Sequence, residues 1–260
     1  MSGPRVDPAA RVAPGAELGA GVEVGPYCVI GPRVSLGPGC RLDAHVVLDG
    51  DTRTGPDNRF FAFASVGTIP QDLKFSGEET RLEIGTGNTF REFVTVNLGT
   101  GGGGGVTRIG SRNFFMAYSH VAHDCQIGDG VVMANAATLA GHVMVSEAAT
   151  IGAFSGVHQF CRVGREAFIG GYSVVTQDAL PFVKTVGNRA KTYGINVIGL
   201  QRRDYTEATL DGLKTAYRLL TRAKLNRSQA LARIAAEIRG IPEVDLLAEF
   251  IRTSERGVVL

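Results

Sequence analysis

No run of eighteen apolar residues occurs in the 260-residue chain, and about that many are needed to span a bilayer. The stretch from Met1 to Ala20 lacks the apolar core of a secretory signal. The expectation is a cytoplasmic protein with no stable membrane insertion. Cysteine is scarce, at four, and no two form a C-x-x-C pair. Cys28, Cys40, Cys125 and Cys161 therefore read as reduced thiols buried like small apolar residues. Tryptophan is absent, and the net charge is only +2. That balance excludes nucleic acid as the main partner. The charge is uneven, however. Arg202, Arg203, Arg218, Arg222 and Arg227 cluster near the C-terminus, a patch suited to an acidic partner or to plain solvation.

Glycine is plentiful, at 35, without the every-third-residue period of collagen, which points to many tight turns. A period of six supplies them. Every sixth residue from Val6 to Val66 is apolar except Thr54. The phase is lost from Thr68 to Glu83, resumes at Ile84, Phe90 and Val96, breaks again from Asn97 to Arg108, and then runs unbroken from Ile109 to Val175. Six fits neither a helix nor a simple alternation. It fits a short strand, a corner and a repeat, with one inward residue per side and three sides per coil. Such coils stack because each leaves its edges unpaired until the next covers them. This repeat resembles the hexapeptide acyltransferase family, and the resemblance implies a left-handed parallel β-helix and a homotrimer. The usual crossover rule favours the right-handed form. Residues 1–184 are expected to form the coil. Residues 185–260 are expected to form a C-terminal α-helical domain, because Leu210, Leu213, Tyr217 and Leu220 carry helical spacing and Pro242 opens a last helix.

Of five histidines, His120, His123, His142 and His158 fall close together. The hexads of His123, His142 and His158 begin eighteen residues apart, at Val121, Leu139 and Val157, so the expectation is three imidazoles stacked on one face. Asp124 follows His123 and can fix its tautomer and raise its basicity. An imidazole so held is a general base for a hydroxyl nucleophile. Gly141, one coil above His123, can offer its backbone N–H to an oxyanion, with His142 beside it. The competing chemistry is zinc held by His120, His123 and His142. The paired-histidine spacing of the β-helical carbonic anhydrases is missing, so no metal is expected. Gly101 to Gly105 lacks the Gly-Lys-Ser/Thr of a phosphate loop and reads as a flexible excursion.

Gln71-Asp-Leu-Lys-Phe75, His120-Val-Ala-His-Asp-Cys125, Leu139-Ala-Gly-His-Val143, Val157-His-Gln-Phe-Cys161 and Gly199-Leu-Gln-Arg-Arg203 together resemble the UDP-N-acetylglucosamine O-acyltransferases of lipid A synthesis, over nearly the whole chain. The resemblance implies transfer of a 3-hydroxyacyl group from acyl-carrier protein to UDP-GlcNAc, without a cofactor. It makes His123 the base, Asp124 its partner and Gly141 the oxyanion donor. Gln71, Asp72, Lys74, His120, His142, His158 and Gln159 would line the substrate site, and Asn196, Arg202 and Arg203 would reach the UDP group, with residues of a neighbouring subunit completing it. Gly171 stands where the family sets acyl length, so a chain of about fourteen carbons is expected rather than about ten. Asn97, Ile198 and Gln201 depart from the family pattern of His, Glu and a basic residue. They leave open a 3-amino sugar acceptor, and an acetyl-CoA-dependent sugar acetyltransferase remains the rival on the same fold.

Overall fold

The computed structural model describes residues 3–260. Two-residue strands separated by four-residue corners wind into coils whose sides form three parallel sheets. Along the first sheet Val6 pairs with Val24, Val24 with Leu42, and Leu42 with Phe60, each eighteen residues on. The same step carries Val121 to Leu139 and Leu139 to Val157 on the second sheet. The hexad residues point inward and form one continuous core along the coil axis. Where the hexad phase is lost the coil is not interrupted. Phe60 pairs with Phe90, thirty residues on, and Phe90 with Phe115, twenty-five on. The extra residues leave as two excursions at the corner between the second and third sheets.

Corner chemistry follows from the backbone. The residue two past the inward position donates to no carbonyl, so Pro26, Pro32, Pro38 and Pro56 occupy it without losing a bond. The next residue takes a left-handed conformation, with φ near 60° at Tyr27, Asp124, His142 and Phe160. Side chains there are costly in isolation, and stacking on the neighbouring coils offsets the cost. Tyr27, His45, Phe63, Phe93 and Tyr118 form one such column at ring separations of 4.8–5.0 Å. Inside another corner buried Asn58, Asn88 and Asn113 form a polar ladder. Each side-chain oxygen accepts the backbone N–H of the residue one coil on, at 2.6–2.9 Å. The side-chain oxygens are satisfied in this way, whereas the buried Asn113 Nδ2 has no partner among the described residues. All four cysteines are buried thiols; burial pushes Cys125 up to about 12 and Cys161 up to about 11.

Past the last hexad, strands Val183–Val186 and Lys191–Ile195 extend the first sheet. Four helices follow: α1 (Val197–Gln201), α2 (Glu207–Thr221), α3 (Arg227–Glu237) and α4 (Pro242–Arg252). The last starts at Pro242, as its sequence predicts. Leu210, Leu213, Ile234, Val244, Leu247 and Ile251 pack with Leu180 and Phe182 into a second core over the open end of the coil. The pair of half-buried Arg162 with buried Asp178, 2.9 Å, ties this layer down: Arg162 also donates to the Phe250 carbonyl, and the Ser254 hydroxyl donates to Asp178. Among the described residues no helix is long and apolar enough to cross a membrane.

Candidate active site

His123 and Gly141 occupy the same corner position on successive coils, and Asp124 and His142 the next one. The register of Val121 with Leu139 sets that alignment. His123 Nδ1 lies 2.8 Å from Asp124 Oδ2. The Asp124 side chain is wholly buried and that of His123 is 14% exposed. Thr100 donates its N–H to Asp124 Oδ1 (2.9 Å) and its hydroxyl to Oδ2 (2.6 Å). With both oxygens acting as acceptors, the ring proton sits on Nδ1. Nε2 keeps its lone pair, and it lies against the next coil. There it meets Gly141, where an added Cβ would stand 2.5 Å from His123 Cε1 and 2.6 Å from Nε2. Only glycine lets the ring and backbone approach so closely. The Gly141 N–H has no hydrogen-bond partner among the described residues, the state a donor to a developing oxyanion needs.

His142 meets His123 edge to face at 5.0 Å and stacks on Phe160 at 4.4 Å. Burial lowers its pKa, against a smaller opposing pull from Asp124 and Asp72, so it is neutral near pH 7. The expected three-imidazole stack is thus corrected to His142 on Phe160. His123, His142 and His158 hold the second, third and first positions after their inward residues. His158 therefore turns away, its Nδ1 3.2 Å from the Gln159 carbonyl oxygen and 3.4 Å from the Arg256 guanidinium. Gln159, also exposed, shares the corner position of His123. A cleft of about 320 Å³ opens here between His142, Phe160 and Arg256.

His120 lies on the outer face of the second sheet. Its Nδ1 is 2.7 Å from Thr95 Oγ1, and burial, with a smaller contribution from the neighbouring His123 ring, lowers its pKa. It does not join His123 and His142. Those two and Asp124 do converge, within 4.8 Å, but both Asp124 oxygens already accept from Thr100 and His123, which favours a held imidazole over a cation.

The first excursion carries Gln71, Asp72 and Lys74. Asp72 accepts the Lys74 N–H at 3.0 Å, and Gln71 and Lys74 are exposed. The buried Asn97 amide holds the root of this loop by donating to the Ile69 carbonyl at 3.1 Å. The second excursion is not a free loop, as the glycine run had suggested. Gly101–Gly103 form one 3₁₀ turn laid against Asp124, and no sequence signal marked Thr100 as the residue that reaches it.

Three expected residues stand elsewhere. Asn196 caps α1, accepting the Gly199 N–H at 3.3 Å and donating to the Glu166 carbonyl at 3.2 Å. Arg203 pairs with Glu166 at 3.2 Å, and burial raises the Glu166 pKa despite that partner. Arg202 is exposed beside them. Glu166 belongs to the corner between the third and first sheets, whereas His123 belongs to that between the second and third. One chain does not bring these two groups together. Gly171 lies at the remaining corner, outside the left-handed region, and an added Cβ would meet only Ala153, at 3.3 Å from its carbonyl oxygen. The corner does not require glycine there.

Known proteins resemble this chain in sequence and fold. The family model described as UDP N-acetylglucosamine O-acyltransferase, domain 2, matches residues 178–259, and the bacterial transferase hexapeptide model matches 15–50 and 107–141. An acyl-[acyl-carrier-protein]–UDP-N-acetylglucosamine O-acyltransferase of Anaeromyxobacter sp. (strain K) is 50% identical over 192 residues, 74% of this chain and 75% of that one. The chain belongs to the UDP-N-acetylglucosamine O-acyltransferase family. Solved members of this O-acyltransferase family superpose over their full length. LpxA of Acinetobacter baumannii is 42% identical with a TM-score of 0.90, covering 100% of this chain and 99% of that one. LpxA of Bacteroides fragilis is 38% identical with a TM-score of 0.96, covering 98% and 100%. The fold is the left-handed parallel β-helix of the O-acyltransferases with C-terminal helices.

Proposed function

We propose that the chain moves a 3-hydroxyacyl group from acyl-carrier protein to the 3-position of the glucosamine ring of UDP-GlcNAc, the first step of lipid A synthesis, in the cytoplasm. One observation carries the reading: His123, held at Nδ1 by buried Asp124, presents a free Nε2 against Gly141. Nε2 takes the proton of the sugar hydroxyl as its oxygen attacks the thioester carbonyl. The Gly141 N–H donates to the oxyanion that forms. Collapse breaks the carbon–sulfur bond, and the proton passes from His123 to the departing thiolate.

Asp72, Lys74, Gln71, His142, His158 and Gln159 would bind sugar and acyl groups along this corner. Asn196, Arg202 and Arg203 would hold the UDP group from a neighbouring copy in a homotrimer. Their place at another corner of the same chain supports that division. Exposed Arg218 and Arg222, with Lys214 paired to Asp211 at 2.9 Å, border a cleft of about 600 Å³ on α2, a net basic surface suited to an acidic carrier protein.

The test is acyl transfer by purified protein with UDP-GlcNAc and hydroxyacyl carrier proteins of several lengths, beside His123→Ala. A UDP-linked acyl product is expected, falling ~10²–10⁴-fold in the variant. Turnover that survives in His123→Ala would sink the mechanism. Product only from a 3-amino acceptor, the case raised by Asn97, Ile198 and Gln201, would shift the assignment to amide formation.

A further inference from the structure

The glycine run is the one sequence motif to which this reaction gives no part. We propose that Thr100 is a positioning residue: it fixes the Asp124 carboxylate against His123 and so sets the basicity of that imidazole, and the glycine turn exists to bring it there. The proposal rests on reading His123 as the base.

Thr100 is 5% exposed and reaches both oxygens of the carboxylate, N–H to Oδ1 and hydroxyl to Oδ2. Oδ2 is also the oxygen that His123 meets. A third tether, from the Asp124 N–H to Thr107 Oγ1 at 2.8 Å, fixes the backbone beneath. The turn closes on Thr100 itself, whose carbonyl accepts the N–H of Gly103 (3.0 Å) and of Gly105 (2.8 Å). The glycines then differ in what they permit. A Cβ at Gly99 would strike the Gly105 backbone, and one at Gly103 would fall on the Asp124 carboxylate. Gly104 and Gly105 have φ of 90° and 78°, which side chains rarely adopt. Gly102 faces open space at an ordinary φ and is free to change. The shape required is that of a turn pressed onto a carboxylate.

Other charged groups face His123 less directly. His142 Nδ1 lies 3.8 Å from Asp124 Oδ2. His120 acts from the strand before it, and Asp72 bears on His142 from the first excursion. Among these, Asp124 alone is within hydrogen-bond distance of Nδ1, so its alignment governs how far imidazolium is stabilised.

Thr100→Val and Thr100→Ser separate hydrogen bonding from packing. Valine puts a methyl where the hydroxyl stands 2.6 Å from Oδ2, too close for carbon, and pushes the carboxylate off His123. Serine keeps the hydroxyl. Thr100→Ala removes it without the methyl and serves if the valine variant does not fold. The first readout is the ring-proton titration of His123 by NMR in the full chain without substrate. Its midpoint should fall by more than about 0.5 pH in Thr100→Val or Thr100→Ala, and stay at the wild-type value in Thr100→Ser and Gly102→Ala. Gly103→Ala should follow the valine variant. The second readout is turnover: kcat should fall ~10–100-fold with KM for UDP-GlcNAc nearly constant. A wild-type titration in the valine or alanine variant overturns the proposal, as does a serine variant impaired as much as valine. If the wild-type enzyme acylates no acceptor, the functional reading fails, while the titration still decides whether Thr100 governs His123.

Discussion

Gly141→Ala tests how closely the site is fitted. The new methyl carbon would stand 2.5 Å from His123 Cε1 and 2.6 Å from Nε2, whereas carbon contacts are comfortable at about 3.5 Å. About 1 Å of overlap must therefore be relieved. The backbone cannot relieve it, because the His142 N–H donates to the His123 carbonyl at 3.0 Å and the Phe160 N–H to the Gly141 carbonyl at 3.3 Å. The His123 ring moves instead, away from the acceptor hydroxyl. A displacement of that size costs about 10²-fold in rate, near 2.7 kcal/mol of transition-state stabilisation. Gly141 lies outside the left-handed region, so alanine is tolerated by its backbone and the Gly141 N–H remains in place. The loss should thus appear in kcat, with far-UV circular dichroism unchanged. Acyl transfer from a hydroxyacyl carrier protein to UDP-GlcNAc, followed by product mass, measures it. Activity within about threefold of wild type would refute the claim that His123 works in this contact.

Two other outcomes follow from the geometry. Gly171→Met should fold, since its Cβ meets only the Ala153 backbone, and should shift preference from about fourteen carbons toward about ten in a competition between carrier-bound acyl chains; an unchanged preference would remove Gly171 from the acyl groove. Burial holds the pKa of His120 and His142 below the usual histidine value, so the unfolded chain binds more protons once the pH drops below about 6.5. The stability they confer is present above that pH and is lost as the pH falls through their folded values. Melting temperature should decline from pH 7 to pH 5, and His120→Gln should flatten the decline; parallel curves would show that His120 does not titrate on unfolding.

Much of this was legible in the sequence because a solenoid is nearly one-dimensional. The inward hexad residues and the prolines at corners each answer to the next coil alone, and that relation survives as a period. Leu139 stacking on Val121, the two excursions and the helix opening at Pro242 could be counted out along the chain. The position of Asp124 beside His123, and of Gly141 above it, is equally local. What a count of hexads blurs is the place within a hexad. His123, His142 and His158 share a side of the coil but not a corner position, so Phe160 and not His158 continues the stack from His142.

The coil, its three-sided register and the approach of His123 to Asp124 and Gly141 can all be read along the chain, because each depends on neighbours a fixed number of residues away. What holds Asp124 is visible only in the folded chain. Thr100 reaches it from an excursion that has left the period, and nothing in a glycine run says where it folds back. Folding likewise sets Arg203 against Glu166 at one corner and His123 at another, since a separation around the coil is an angle in space that spacing along the chain past the last hexad no longer records.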